Sequence, residues 1–165
     1  LPPIKEERDK WGDFPIIAAG GIWDRNDIEK IMDLGADAVQ MGTRFIGTHE
    51  CDASPVLKQV LINAKEEDIV IVSSPVGYPG RAVKTELIKT LEPGTKKIQC
   101  ISNCIFPCNR GEGARRVGYC IADSLGDAYL GRLQSGLFFS GANGYKLKEI
   151  VHVKDLIDEL MTNVK

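Results

Sequence analysis

Hydrophobic residues fall in short unbroken runs early in this chain and in helical stripes later. Phe14-Pro15-Ile16-Ile17-Ala18-Ala19 is an apolar run closed by Gly20-Gly21. A run this short, without polar alternation, fits a strand buried on both faces, as in a parallel sheet. Asp24 then stands as an N-cap, Ile28, Ile31 and Met32 recur at helical spacing, and Gly35 is placed to end that helix in the left-handed conformation. Ala36-Asp37-Ala38-Val39-Gln40-Met41 is a second short strand, closed by Gly42-Thr43. Strand, helix and strand in so few residues predict one βαβ unit.

Further along, Ser54-Pro55 caps a helix with the stripe Val56-Leu57, Val60-Leu61 and Ala64, and Ile69–Val72 reads as a strand. Ser74–Gly80 holds too many prolines and glycines for regular structure and leads into a predicted helix over Arg81–Leu91. A cysteine-bearing loop follows, then a helix over 115–130 with Val117, Ile121, Leu125 and Ala128 on one stripe. Gly136–Gly141 is an apolar segment bounded by glycines. The last helix carries Val153, Leu156, Ile157, Leu160 and Met161 at amphipathic spacing. Regular alternation gives way to turns after Val72. The predicted division is therefore 1–72, strands and helices of a barrel, and 73–165, active-site loops with a helical C-terminal segment.

Composition narrows the classes. Hydrophobic residues are 43% and charged residues 27% of 165, an ordinary globular balance with enough chain for a core. A formal net charge of −2 provides no basic field for nucleic acid. No apolar run approaches the roughly 20 residues of a membrane helix. Leu1-Pro2-Pro3-Ile4-Lys5-Glu6-Glu7-Arg8 has neither a starting Met nor an apolar signal core, and reads as a polar linker; the expected location is cytoplasmic.

The two glycine turns carry the chemistry. In a β/α barrel the C-terminal ends of the strands form the active face. A phosphate there needs inward backbone N–H groups with no Cβ in the way, and a following helix start adds positive partial charge. Gly20-Gly21 and Gly42-Thr43 meet those needs, with the Thr43 hydroxyl as a further donor; a plain tight turn is the alternative. The absence of G-x-G-x-x-G argues against a Rossmann dinucleotide site.

Pro15-Ile-Ile-Ala-Ala-Gly-Gly-Ile22 followed by Leu34-Gly-Ala-Asp-Ala-Val-Gln-Met-Gly-Thr-Arg-Phe45 resembles the nitronate monooxygenases, once called 2-nitropropane dioxygenases. The flavin-dependent enoyl-ACP reductases share this signature. The resemblance is dense over 15–50 and looser at Ser74–Ala82 and from Tyr119 onward. It implies an α/β fold: the C-terminal part of a TIM-type (β/α)8 barrel, here its seventh and eighth strands, with an appended helical, cysteine-containing segment. It implies FMN as cofactor, held at Gly21, Gln40, Met41, Gly42 and Thr43 with Gly20 adjoining. It implies an oxidoreductase that oxidises alkyl nitronates with oxygen, or alternatively an NAD(P)H-dependent enoyl-thioester reductase. Such barrels typically run to about 250 residues. Six strands and the family's general-base histidine have no counterpart here, so a non-catalytic half-barrel is a further alternative. Its open sheet edges and core face predict association, with the missing N-terminal half or in a homo-oligomer.

Other residues are weaker candidates. His49 and His152, the only histidines, match no catalytic position and read as surface residues. Arg81 suits an anionic group or a solvated helix start. Asn143 and Lys146, in Gly141-Ala142-Asn143-Gly144-Tyr145-Lys146, suit either a flavin contact or a turn. Cys100, Cys104 and Cys108 are spaced C-x3-C-x3-C, with Cys120 beyond. Clustered thiolates can hold zinc or an iron–sulfur cluster, but the common motifs use x2 spacings. Reduced structural thiols are the favoured reading and no metal is expected.

Overall fold

The computed structural model describes residues 2–91, 104–105, 108 and 112–162. In chain order it contains α1 (Pro2–Trp11), β1 (Ile17–Ala19), α2 (Arg25–Asp33), β2 (Ala38–Gln40), α3 (Thr43–Ile46), α4 (Pro55–Asn63), β3 (Ile69–Val72), β4 (Gly80–Val83), α5 (Glu86–Lys89), α6 (Glu112–Val117), α7 (Ile121–Tyr129) and α8 (Val153–Met161). Two compact units result: Leu1–Cys51 with Ile150–Lys165, and Asp52–Glu149. Val72, where the sequence changes character, lies inside the second unit as the last residue of β3, opposite Gly80.

The predicted βαβ unit is present in the first unit. β1 and β2 pair in parallel, with Ile17 opposite Ala38, Ala18 opposite Val39 and Ala19 opposite Gln40. The connecting helix starts and stops as its residues dictate. The Asp24 carboxylate accepts from the Asp27 amide at 3.0 Å, and the Asp27 carboxylate reaches back to the Trp23 amide at 2.9 Å. At the other end Gly35 takes φ 90° and donates to the Met32 carbonyl, while Ala36 donates to Ile31. These bonds satisfy carbonyls that a helix end leaves open.

Burial departs from the expected two-faced pattern. Ala18 and Val39 are half-buried, but Ile17, Ala19, Ala38 and Gln40 are exposed, with Ile17 at 60%. These residues share one face of the pair by the two-residue period of a strand. Among the described residues β1 and β2 pair only with each other, and α2 packs against β2. α8 packs against α2 and buries Leu156 and Leu160. Each such leucine contributes about 1.5–3 kcal/mol. The segment read as a polar N-terminal linker is instead helix α1. Asp37 fixes it by accepting from Arg8 at 2.9 Å and from the Ile16 amide at 2.7 Å, which joins α1 to the start of β1.

In the second unit Ser54 caps α4 as expected, its hydroxyl accepting from the Leu57 amide at 3.2 Å with Pro55 in the first turn. The helix predicted over Arg81–Leu91 does not form. Gly80–Val83 instead pairs antiparallel with Ile69–Val72, and only Glu86–Lys89 is helical. The Ser74–Pro79 turns reverse the chain and bring Ala82 and Val83 into the core, burial that outweighs the local helical spacing. The helix predicted over 115–130 is two helices. Gly118, at φ 85°, breaks it so that Tyr119 is buried and its hydroxyl donates to the Ser73 carbonyl at 2.7 Å. Val72, Ala82, Leu87, Val117, Tyr119, Ile121 and Leu137 form this unit's core. Phe139, in the glycine-bounded segment, bridges to Ala82 and lies over Gly80, where a Cβ would come within 2.6 Å of its ring.

Candidate functional site

The ladder between β1 and β2 ends at Ala19 and Gln40, so both glycine turns begin at the same level of the first unit. Gly20 and Gly21 have φ 88° and 73°, a left-handed conformation that costs an L side chain about 1–2 kcal/mol per residue. A Cβ at Gly20, Gly21 or Gly42 would meet no atom within 4 Å. The first two glycines are therefore required by conformation, and all three border open space. Gly42 keeps φ −113° and receives the Phe45 amide at 2.9 Å as the chain turns into α3. Thr43 is the first residue of that turn of helix and is half-buried, while Gln40 is exposed and Met41 is half-buried. The six residues Gly20, Gly21, Gln40, Met41, Gly42 and Thr43 thus line one end of the sheet. A group approaching it meets backbone and no bulky side chain at the three glycines.

A hollow of about 340 Å³ adjoins Gly42, walled by Phe45, Ile46, Thr48, Glu50, Cys51 and Val153. Its acidic wall is structural. The Glu50 carboxylate accepts from the Val153 amide at 2.9 Å, capping α8, and meets His152 Nδ1 at 3.1 Å. Hydrogen bonding from Val153 holds the Glu50 carboxyl below the usual carboxylate range, despite partial desolvation. The His49 and His152 rings lie 4.5 Å apart, both exposed, as the surface reading has it.

The remaining candidates lie in the second unit or outside the described residues. Arg81 is exposed on β4 rather than at a helix start. Asn143 precedes the 3₁₀ turn Gly144–Lys146 and its carbonyl accepts from the Lys146 amide at 3.0 Å, so Asn143 and Lys146 form a turn. Cys100 lies outside the described residues. Cys104, Cys108 and Cys120 are free thiols, and Cys108 is buried. Among the described residues no group of three or more His, Cys, Asp or Glu is placed to hold a metal.

Sequence reasoning missed the residues that tie the glycine turns together. The buried Trp23 ring lies under the Arg44 guanidinium, 5.0 Å from centroid to carbon, and Arg44 Nη2 donates to both oxygens of Glu159 at 2.5 and 2.6 Å. Trp23 and Arg44 each stand two residues beyond a glycine of the turns, which is a local signal. Glu159 on α8 carries none.

The chain matches the nitronate monooxygenase family over residues 5–163. It belongs to that family. Relatives include a probable nitronate monooxygenase of Staphylococcus saprophyticus, 40% identical over 75 residues, 46% of this chain and 21% of the relative. A second, from Staphylococcus haemolyticus, is 36% identical over 79 residues, covering 48% and 22%. Matches therefore span about a fifth of the length of these relatives. Among solved structures, FabK from Thermotoga maritima has a TM-score of 0.70 at 30% identity, covering 94% of this chain and 45% of that one. A nitroalkane oxidase from Streptomyces ansochromogenes has 0.63 at 21% identity, covering 92% and 40%, a likeness of fold. The fold class is thus the expected one, α/β and the C-terminal part of a TIM-type barrel. Among the described residues no helix is long and apolar enough to cross a membrane.

Proposed function

We propose that this chain provides the cofactor-phosphate end of an FMN-dependent oxidoreductase that oxidises alkyl nitronates with oxygen, as part of a longer barrel in the cytoplasm. The reading rests on one observation above all: left-handed Gly20-Gly21 and Gly42-Thr43 leave the parallel pair at the same level, beside open space. Family membership over nearly the whole chain supports it.

In this reading Gly20, Gly21 and Gly42 let the backbone approach the FMN phosphate without a Cβ between. Thr43 offers its hydroxyl at the start of α3. Gln40 and Met41 lie along the cofactor above the last rung of the ladder, Gln40 as a polar partner and Met41 as packing. FMN held at these residues would supply the electron transfer between nitronate and oxygen. This chain's residues bind and orient it. The proposed partition is barrel strands and helices in 1–72, with loops toward substrate and a helical segment in 73–165. The base that handles the substrate's proton, and most groups that select the substrate, belong in this reading to other barrel strands. The exposed face carrying Ile17, Ala38 and Gln40 is where those strands, or a second copy, would pack.

Absorption spectroscopy of the full-length protein tests the cofactor: a yellow preparation releasing FMN is expected, and a colourless one that FMN does not reconstitute overturns the proposal. Anaerobic titration then assigns the reaction. Reduction of the bound flavin by an alkyl nitronate supports the nitronate reading. The likeness to FabK favours, as second reading, an NAD(P)H-dependent enoyl-thioester reductase. Reduction by NADH with reoxidation by crotonyl thioester would establish that one. A third outcome, a 1–165 chain that binds no flavin and associates when alone, would mark a non-catalytic half-barrel needing its missing half; a sharp monomeric peak with cooperative unfolding would refute that.

A further inference from the structure

We infer that Arg44 is a positioning residue for the cofactor phosphate, acting as a brace that sets the spacing of the two glycine turns without touching the cofactor. The inference rests on the FMN reading of those turns.

Three contacts define the brace. Trp23 is two residues past Gly21, is 7% exposed, and has its amide fixed by the Asp27 carboxylate at 2.9 Å. Its ring is therefore a buried group whose backbone is anchored just past the first turn. Arg44 is two residues past Gly42 and places its guanidinium 5.0 Å over that ring. A cation over an indole face is attracted by the ring's negative quadrupole, most strongly where water is excluded. The Arg44 side chain is 14% exposed. Glu159 on α8 then holds the outer nitrogen at 2.5 and 2.6 Å. One guanidinium thus connects the residues downstream of both turns to the helix that closes the first unit.

Arg44 Nε is buried with no hydrogen-bond partner. Its orientation is thus set by the Trp23 ring and the Glu159 carboxylate rather than through Nε. The ladder fixes the turns only at Ala19 and Gln40. Beyond that rung, Arg44 over Trp23 joins the residues that follow the two turns. A phosphate cradle needs its donors set before the ligand arrives, since every ångström of drift weakens charge-assisted bonds on both sides. Lysine cannot replace this group fully, because an ammonium lacks the plane that stacks on indole while donating at its edge.

The test compares two ligands on the full-length protein stripped of cofactor: FMN, and riboflavin, which lacks the phosphate. Arg44→Met, Arg44→Lys and Glu159→Gln are each measured by flavin fluorescence quenching. Arg44→Met should weaken FMN by about tenfold or more while riboflavin changes by less than about twofold, with Arg44→Lys and Glu159→Gln intermediate. Equal losses for both flavins across the two conservative variants would show a general structural role and overturn the brace. So would FMN affinity unchanged in all three. If Arg44→Met does not fold, Arg44→Lys and Glu159→Gln decide. Failure of the unsubstituted protein to bind FMN is a separate result that removes the flavin reading itself and the brace with it.

Discussion

Ala19 and Gln40 face each other across the last rung of the parallel ladder; Gly20 follows Ala19 at once, and Gly42 follows Gln40 after Met41. Because the rung is shared, a change in one turn moves it against a fixed neighbour. Gly20→Ala and Gly21→Ala should each cost about 1 kcal/mol of stability from the left-handed backbone alone, since open space surrounds both positions. Gly42→Ala should leave the melting temperature nearly unchanged, its φ being −113° and its surroundings open. Thermal denaturation checks the pair. If the FMN reading is right, Gly42→Ala still weakens FMN, and stability and affinity separate at that residue.

Tyr119 gives a pH dependence at the alkaline end. Burial pushes its phenol up to about 12 from an ordinary value of 10. A folded-state value above the unfolded one means the neutral hydroxyl is favoured by folding. Its contribution is complete below pH 10 and declines between about 10 and 12, by at most about 3 kcal/mol. Denaturant titrations across that range should show a stability loss that Tyr119→Phe lacks. The phenylalanine variant should also lose about 1 kcal/mol at neutral pH, from the bond to the Ser73 carbonyl.

Glu50 gives the opposite sign at the acid end. Its carboxyl is held low chiefly by the Val153 amide, so its stabilising contribution is complete above the ordinary carboxylate range and is lost as pH falls from there through the lower folded-state value, where the cap is protonated. Glu50→Gln should flatten this part of the acid unfolding curve. Hydrogen exchange at the first turn of α8 should quicken in the variant and, at low pH, in the parent; unchanged exchange would refute the cap.

Asp24→Ala and Ser54→Ala remove N-caps from helices in different units. Each should cost about 1 kcal/mol, and the double variant about the sum, because the sites share no partner. Chemical denaturation of the single and double variants checks this.

What the sequence made legible was local. The first strand, Asp24, α2, Gly35 and the second strand lie within one stretch, and each signal is read without knowing any distant partner. The same holds for Ser54-Pro55 and the stripe of α8. The failures are non-local. Gly80–Val83 looks like the start of a helix until Ile69–Val72 is known to pair with it. Residues 115–130 share one helical stripe, and only burial of Tyr119 against the β3 side explains the break at Gly118. The pattern around β1 predicted burial on both faces, while Ile17 is exposed because nothing in the described residues covers it. Among site residues, the glycine turns announced themselves, but Glu159 meets Arg44 from 115 positions away. Periodicity carries no information over such a separation.

Thr48 and Val151 form a parallel bridge, His49 donates to the Val151 carbonyl and Val151 donates to Gly47. The chain therefore leaves the first unit and re-enters it at neighbouring points, joined by hydrogen bonds within that unit. The whole of Asp52–Glu149 is topologically a graft, inserted between two segments of the first unit that are hydrogen-bonded to each other. Grafts of this kind can be lengthened, shortened or exchanged without disturbing the stock. Insertions or deletions within Asp52–Glu149 should therefore leave the Thr48–Val151 bridge and the glycine turns of the first unit in place.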